Sequence, residues 1–328
     1  SALANATLRI PNALRHSNFF PQYFFGGGYA LPNLQQTPMK NTHFLFFLLT
    51  TTLLLWQNYG CKTTDLNPAY LRIDSVTLET QAQQGSSHHA INTIWVYADD
   101  APIGVFELPT VIPILELGST SIKILAGIQQ NGILSQRITY PFYTAFEQTI
   151  DLQGGQVYNL QPIFTYTPST EFVFINDFEL GNNIADIDDN GNQEFVVSDT
   201  PADVFEGARA GKVSLSTVQP QFSAATTNFF PNPPPSYPVF MEMSYRADIP
   251  FQVWLRGINA EGESIEHPLI RYISQQKTWH KIYLDFTNDV AELDAQGYGF
   301  HQFIWQATLP ADTTVANFYF DNIKLLNR

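Results

Sequence analysis

Short runs in which apolar and polar residues alternate with a period of two make up most of the chain after residue 69. Alternation of this kind places successive side chains on opposite faces and predicts strands with one buried face. The clearest runs carry the apolar sets Ile122/Ile124, Val213/Leu215, Val239/Met241/Met243, Phe251/Val253/Leu255 and Ile282/Leu284/Phe286. Many short strands of this type predict an all-β chain built from β-sandwiches.

One segment, 288–295, has helical spacing instead. Val290 and Leu293 share one face of a helix in this register, and Thr287 or Asn288 is a suitable N-cap. We expect a single short helix there.

A polar, turn-rich stretch at 165–170 predicts a domain boundary. It leaves about 105 residues before it and about 160 after it, and both are common domain sizes. We expect a small β-sandwich at 69–167 and a second one at 168–328.

The apolar segment 44–56 follows Met39 and Lys40. It is shorter than the roughly 20 residues that span a bilayer and fits the ~7–15-residue centre of a secretory signal. Gly60 and Cys61, the only cysteine of the chain, come directly after it.

This arrangement resembles the lipobox of bacterial lipoproteins, with Asn58 and Tyr59 departing from the usual pattern. The resemblance implies a cleaved signal peptide at 39–60, a lipidated Cys61 and a tether at 61–68. Residues 1–38 are then a mis-assigned upstream extension. The alternative is an ordinary signal peptide with a free cysteine.

The charge is unevenly distributed along the chain. Residues 1–61 contain three of the 16 basic residues and none of the 30 acidic ones, as expected of a leader that is removed. The strongly acidic remainder excludes nucleic acid as a partner, because phosphate binding needs a basic surface. The lipid anchor predicts an outer-membrane protein that faces the cell surface or the periplasm.

Two runs of the first half, 95–104 (WVYADDAPIG) and 117–124 (LGSTSIKI), resemble PEGA-type surface domains. Asp100-Ala101 and Thr120 depart from the usual residues of that family. The resemblance implies a small β-sandwich that acts as a spacer or a binding module.

Four runs of the second half together resemble jelly-roll carbohydrate-binding modules. They are 172–179 (FVFINDFE), 205–215 (FEGARAGKVSL), 279–285 (WHKIYLD) and 318–325 (FYFDNIKL). The resemblance implies glycan binding without catalysis, and a structural calcium ion shared by Glu179 and Asp321. Carboxylate and carbonyl oxygens are suitable ligands for calcium.

A second candidate calcium loop begins at Asp186, Asp188 and Asn190, which match the start of a D-x-[DN]-x-[DN]-G motif. Val197 stands where that motif has its bidentate glutamate. A solvated acidic turn is therefore the alternative.

Gln252, Trp254 and Arg256 share one face of a predicted strand. An exposed indole flanked by amide and guanidinium groups is suited to a sugar, because the ring stacks and the polar groups bind hydroxyls. The alternative is that Trp254 is buried between two sheets.

The sequence thus predicts a non-catalytic surface lipoprotein that binds a glycan through its second sandwich. The alternative is a structural or adhesive subunit that binds an envelope protein. A hydrolase ranks third, because no pair of carboxylates is singled out by its spacing.

Overall fold

The computed structural model describes residues 67–188 and 195–328. These described residues form one compact unit. The predicted extension, signal peptide and lipidation site at Cys61, with most of the tether, lie outside the described residues, and so does Asn190.

The first part of the described chain contains ten strands. They are β1 (Ala69–Ile73), β2 (Thr77–Glu79), β3 (Thr93–Ala98), β4 (Ala101–Glu107), β5 (Thr110–Ile114), β6 (Gly118–Gln129), β7 (Arg137–Thr139), β8 (Phe146–Leu152), β9 (Val157–Leu160) and β10 (Ile163–Thr165).

These ten strands build the first sandwich. One sheet has the order β4-β3-β6-β7, and β8 also pairs with β6. A three-stranded sheet, β5-β1-β9, and the pair β10-β2 complete it. Leu71, Ile94, Ile124 and Phe164 belong to the core that these sheets share.

The remaining described strands form the second sandwich. They are β11 (Glu171–Asn176), β12 (Ile184–Asp186), β13 (Val196–Ser198), β14 (Ala210–Ser216), β15 (Gln221–Thr226), β16 (Phe230–Pro231), β17 (Phe240–Ala247), β18 (Phe251–Ile258), β19 (Ser264–Glu266), β20 (Arg271–Ile273), β21 (Gln276–Asp285), β22 (Phe300–Thr308) and β23 (Val315–Asn327), with one helix, α1 (Thr287–Ala295).

Two large sheets face each other in this second sandwich. The inner sheet has the order β13-β14-β23-β17-β21, with β11 on β23. The outer sheet has the order β12-β15-β22-β18-β19, with β16 on β22 and β20 on β18. Met241 and Phe320 of the inner sheet share a core with Val253 and Phe303 of the outer sheet. The predicted all-β fold with two β-sandwiches is confirmed.

The predicted helix is also confirmed, since Val290 and Leu293 of α1 are buried. Its predicted cap is wrong. The helix begins at Thr287, so that Phe286 occupies the N-cap position without a side-chain cap. The Thr287 hydroxyl accepts a hydrogen bond from Val239 N–H.

The inner sheet is buried on both faces along most of β17. Alternation predicted that Phe240, Glu242 and Ser244 of β17 would face away from the core, yet all three are buried. The first sandwich covers this face, and Phe240 is part of its core. The sequence of β17 alone does not reveal this second covering layer.

A buried polar network joins the two sandwiches around Glu242. Its carboxylate accepts hydrogen bonds from Tyr140 Oη at 2.9 Å and Tyr166 Oη at 2.9 Å, and it pairs with Lys281 Nζ at 3.0 Å. Lys324 Nζ donates to Tyr166 Oη at 3.2 Å and to Ser86 O at 2.6 Å. Groups from residues 86–166 thus contact β17 and β23 of the inner sheet directly, and Lys281 of β21 joins the network through Glu242.

Burial and charge within the network also shift the pKa values of Glu242 and Lys324. Burial alone would raise the pKa of Glu242, but the ammonium groups of Lys281 and Lys324 hold that pKa below its usual range. Burial lowers the pKa of Lys324 to about 8, although Glu242 opposes this shift. The carboxylate is therefore ionised in the folded protein at neutral pH.

No helix within residues 67–188 and 195–328 has the length and apolar character needed to cross a bilayer.

Candidate functional site

The outer sheet turns one face toward the core of the second sandwich and one face away from it. We call the second face the outer face. Strand pairing arranges its side chains in four rows across the sheet, because residues directly opposite in an antiparallel pair share a face. They are row 1 (Ser223, Gln306, Gln252, Tyr272), row 2 (Ala225, Ile304, Trp254), row 3 (Gln302, Arg256, Glu266) and row 4 (Pro231, Phe300, Ile258, Ser264).

Row 1 is polar and carries an exposed ring. Tyr272 of β20 is 70% exposed and lies directly opposite Gln252 of β18, which in turn lies opposite Gln306 of β22. These three residues line a cavity of about 180 Å³. The row therefore places one aromatic platform beside two amide side chains.

The two amides of row 1 are available to a ligand. Neither Gln252 nor Gln306 has a side-chain hydrogen-bond partner within the part of the chain that the structure describes. Each amide offers two donors and one acceptor oxygen. A ligand hydroxyl at this row can both donate and accept.

Row 2 holds Trp254, which is 7% exposed. Its ring packs with Ala225 and Ile304, and Ile187 covers this cluster. Ile187 N–H donates to Ser223 O at 2.8 Å, which extends the pairing of β12 along β15 and carries the Ile187 side chain to this position. The hypothesis of an exposed Trp254 platform is wrong.

The buried alternative also needs a correction. Trp254 is buried, but on the outer side of the sheet rather than between the two sheets. Its indole N–H has no hydrogen-bond partner among the described residues. Row 2 therefore acts as an apolar ridge between two polar rows.

Row 3 combines a cation with an amide. Arg256 lies 3.8 Å from Glu266 across the strand pair, and the Glu266 side chain is largely exposed. Gln302 is buried and donates to Thr226 O at 2.6 Å. Arg256 has five N–H donors, so most of its donors remain for a ligand.

Row 4 ends the outer face at a wide apolar cleft. Phe300, 41% exposed, lies opposite Ile258, and Phe229, 53% exposed, stands beside them. The cleft has a volume of about 730 Å³.

Of the sequence-based ligand residues, the structure places Gln252, Trp254 and Arg256 on one face, as alternation predicted. Sequence reasoning missed Tyr272, Gln302 and Gln306. Gln302 and Gln306 alternate with the apolar Phe303 and Trp305 in β22. The sequence was therefore sufficient to predict that these two glutamines share a face. Their position opposite β18 depends on strand order, which the sequence does not give.

The two family-derived calcium residues, Glu179 and Asp321, bind the same loop. Glu179 Oε1 accepts hydrogen bonds from Ala208 N–H at 2.7 Å and Arg209 N–H at 3.0 Å. Gly207, with a φ of +75°, allows this approach, because a Cβ there would collide with the Glu179 carboxylate.

Asp321 is the second of these residues. It accepts hydrogen bonds from Glu206 N–H at 3.1 Å and Asn322 N–H at 2.7 Å. Burial raises the pKa of Asp321 to about 7, against the effect of these amides, and the Glu206 carboxylate adds to the rise. Both carboxylates thus serve as anchors for backbone amides.

The other candidate calcium residues are only partly described. Asp186 Oδ1 accepts a hydrogen bond from Phe195 N–H at 3.2 Å, and Asp188 follows β12. Among the described residues, no group of three or more His, Cys, Asp or Glu side chains is arranged to hold a metal ion. Calcium binding stays a prediction.

Several solved structures are similar to this chain. A carbohydrate-binding module of the β-sandwich superfamily is 15% identical, with a TM-score of 0.35, over 71% of this chain and 84% of that chain. The family 11 carbohydrate-binding module of a cellulosomal cellulase of Clostridium thermocellum is 12% identical, with a TM-score of 0.34, over 48% and 95%.

The xylan-binding domain of a family 22 carbohydrate-binding module is 14% identical, with a TM-score of 0.32, over 48% of this chain and 96% of that domain. No protein-family model matches the chain, and no curated protein matches it in sequence. Because these identities and TM-scores are low, we argue function from the side chains of the outer face.

Proposed function

We propose that the chain binds a glycan on the outer face of its second sandwich. The observation that carries this proposal is row 1, where the exposed Tyr272 ring lies opposite the unpartnered Gln252 amide, with Gln306 beyond it. An aromatic face packs against the C–H face of a sugar, and convergent polar groups bind its hydroxyls. Arg256 in row 3 adds a second group of donors.

We propose a binding role without catalysis. Among the described residues of the four rows, Glu266 is the only carboxylate, whereas glycoside hydrolysis generally uses two. Incubation of a bound glycan with the protein is expected to release no reducing ends. Release of sugars that persists after purification to homogeneity would contradict this role.

Affinity electrophoresis in gels that contain soluble polysaccharides tests glycan binding. We expect retardation by at least one polysaccharide, and loss of it in Tyr272→Ala, because the stacking platform is removed. Gln252→Ala and Gln306→Ala should each weaken binding about two- to tenfold, as expected for one hydrogen bond. Tyr237→Ala, another exposed tyrosine, is the matched control and should bind like the wild type.

A wild-type protein that no polysaccharide retards would contradict glycan binding and favour the envelope-protein partner instead. Equal retardation of the wild type and Tyr272→Ala would show that row 1 is not the site.

We also propose that the chain is an outer-membrane lipoprotein anchored through Cys61, with its PEGA-like first sandwich as a spacer. The support is the apolar segment followed by Gly60 and Cys61. Metabolic labelling with a fatty-acid analogue is expected to label the wild type and not Cys61→Ser. Equal labelling of both proteins would contradict the anchor.

Calcium binding at Glu179 and Asp321 is tested by the melting temperature. A cation that binds only the folded state raises this temperature. An unchanged midpoint after addition of a chelator would contradict the prediction.

A further inference from the structure

The cleft at row 4 differs in chemistry from the polar rows. Phe229 and Phe300 expose large parts of their rings, and both line this cleft of about 730 Å³. Ile258 and Val173 line it too, and no ionisable side chain is among its lining residues. Its volume lies within the range of about 300–1,000 Å³ that is usual for small-molecule sites.

Most polar groups of the cleft are already used within the protein. Asn259 Oδ1 accepts hydrogen bonds from Glu261 N–H and Glu263 N–H, and Asn259 Nδ2 donates to Glu263 Oε2 at 2.9 Å. Thr227 Oγ1 donates to Asn183 O at 3.3 Å. A sugar placed here would lose the hydrogen bonds of its hydroxyls to water, whereas an uncharged apolar group would gain by burial.

The cleft is also the direct continuation of the polar face. The pair Arg256 and Gln302 of row 3 is followed along the same two strands by the pair Ile258 and Phe300 of row 4. Two residues along a strand correspond to about 7 Å. A group attached to a sugar at row 3 can therefore reach the cleft without crossing the ridge at Trp254.

We propose that this cleft binds an uncharged apolar substituent, an alkyl, acyl or aryl group, of the glycan bound on the outer face. The protein then recognises a substituted, amphipathic glycan. Arg256 binds the saccharide at row 3, and Phe229 and Phe300 contact the substituent. This inference rests on the proposed glycan binding.

Matched pairs of methyl and n-octyl glycosides of the common hexoses and pentoses test the inference by titration calorimetry. We expect the octyl glycoside to bind at least tenfold more tightly than the methyl glycoside of the same sugar. A fully buried methylene favours binding about fourfold, so partial burial of the chain is enough for this gain.

Phe229→Ala and Phe300→Ala should remove this gain and leave the affinity for the methyl glycosides unchanged. Leu134→Ala removes an exposed apolar side chain of the first sandwich and is the matched control for non-specific binding of the octyl chain. It should retain the full gain. Melting curves of all three variants check that they remain folded.

Equal affinities of the methyl and octyl glycosides would overturn the inference and leave the proposed glycan binding intact. An octyl gain that survives both phenylalanine substitutions would overturn it as well. Failure of every methyl glycoside, octyl glycoside and polysaccharide to bind would instead overturn the proposed function, and the inference with it.

Discussion

Glu242 places a buried charge at the contact between the two sandwiches. Its carboxylate is fully buried and contacts Lys281, Tyr140 and Tyr166. A buried ion pair contributes little net stability compared with apolar groups of the same volume, but removal of one partner leaves an uncompensated charge. Loss of one partner of this network is therefore costly, although the intact network adds little net stability.

We expect Glu242→Gln to lower the free energy of unfolding by about 3–5 kcal/mol, because the ammonium groups of Lys281 and Lys324 then lack their carboxylate. Urea unfolding measures this loss. Glu266→Gln removes a carboxylate from a largely exposed ion pair and is the control, with an expected loss of at most about 1 kcal/mol. Similar losses in the two variants would contradict this account.

His301 makes the stability depend on pH. Burial lowers the pKa of His301 to about 3, and its Nδ1 lies 2.8 Å from Asn232 Oδ1. Between pH 6.5 and 3 the unfolded chain binds a proton at this residue that the folded chain does not. Stability therefore falls as the pH falls through that window.

The variant His301→Gln should show a shallower fall in stability between pH 6 and pH 4, by up to about 1.4 kcal/mol per pH unit. Urea unfolding at the two pH values gives this slope. Burial also lowers the pKa of His88, to about 4, so part of the fall should remain. The raised pKa of Asp321 acts in the opposite direction. An unchanged slope in His301→Gln would argue against a neutral buried imidazole.

At the scale of the element, alternation was sufficient to predict strands and the face on which Gln252 and Arg256 lie. It was not sufficient to predict exposure. Trp254 faces away from the main core as expected, but Ile187, 67 positions earlier in the sequence, covers its cluster. Tyr272 was missed because the pairing of β20 with β18 is set by the whole sheet rather than by either strand.

Strand β14 offers a test of packing at one position. A Cβ on Gly211 would lie 2.5 Å from Phe178 Cζ and 2.7 Å from Phe195 Cε1, and both rings are buried. Gly211→Ala should lower the free energy of unfolding by about 1–3 kcal/mol, as overpacking does. Gly299→Ala meets nothing within 4 Å and should be near neutral. Equal stability of the two variants would contradict the close contact.

At the scale of the molecule, strands of the inner sheet contribute side chains to the cores of both sandwiches. Phe240, Tyr283 and Leu326 belong to strands of the second sandwich but lie in the core of the first. No described strand before the turn-rich segment at 165–170 pairs with a described strand after it, and one isolated bridge joins Gln130 to Tyr283 of β21. The sequence could not show that part of the inner sheet has a second buried face, because its covering residues come from 86–166.

Because the inner sheet contributes to both cores, we predict that the two sandwiches unfold together. Separation would expose Phe240, Tyr283 and Leu326 and would leave Glu242 without Tyr140 and Tyr166. Calorimetry of the protein is expected to give a single transition with equal calorimetric and van't Hoff enthalpies. Glu242→Gln weakens the contact and is the variant in which a second transition would first be resolved. Two separate heat-absorption peaks in the wild type would show that each sandwich is stable without the other.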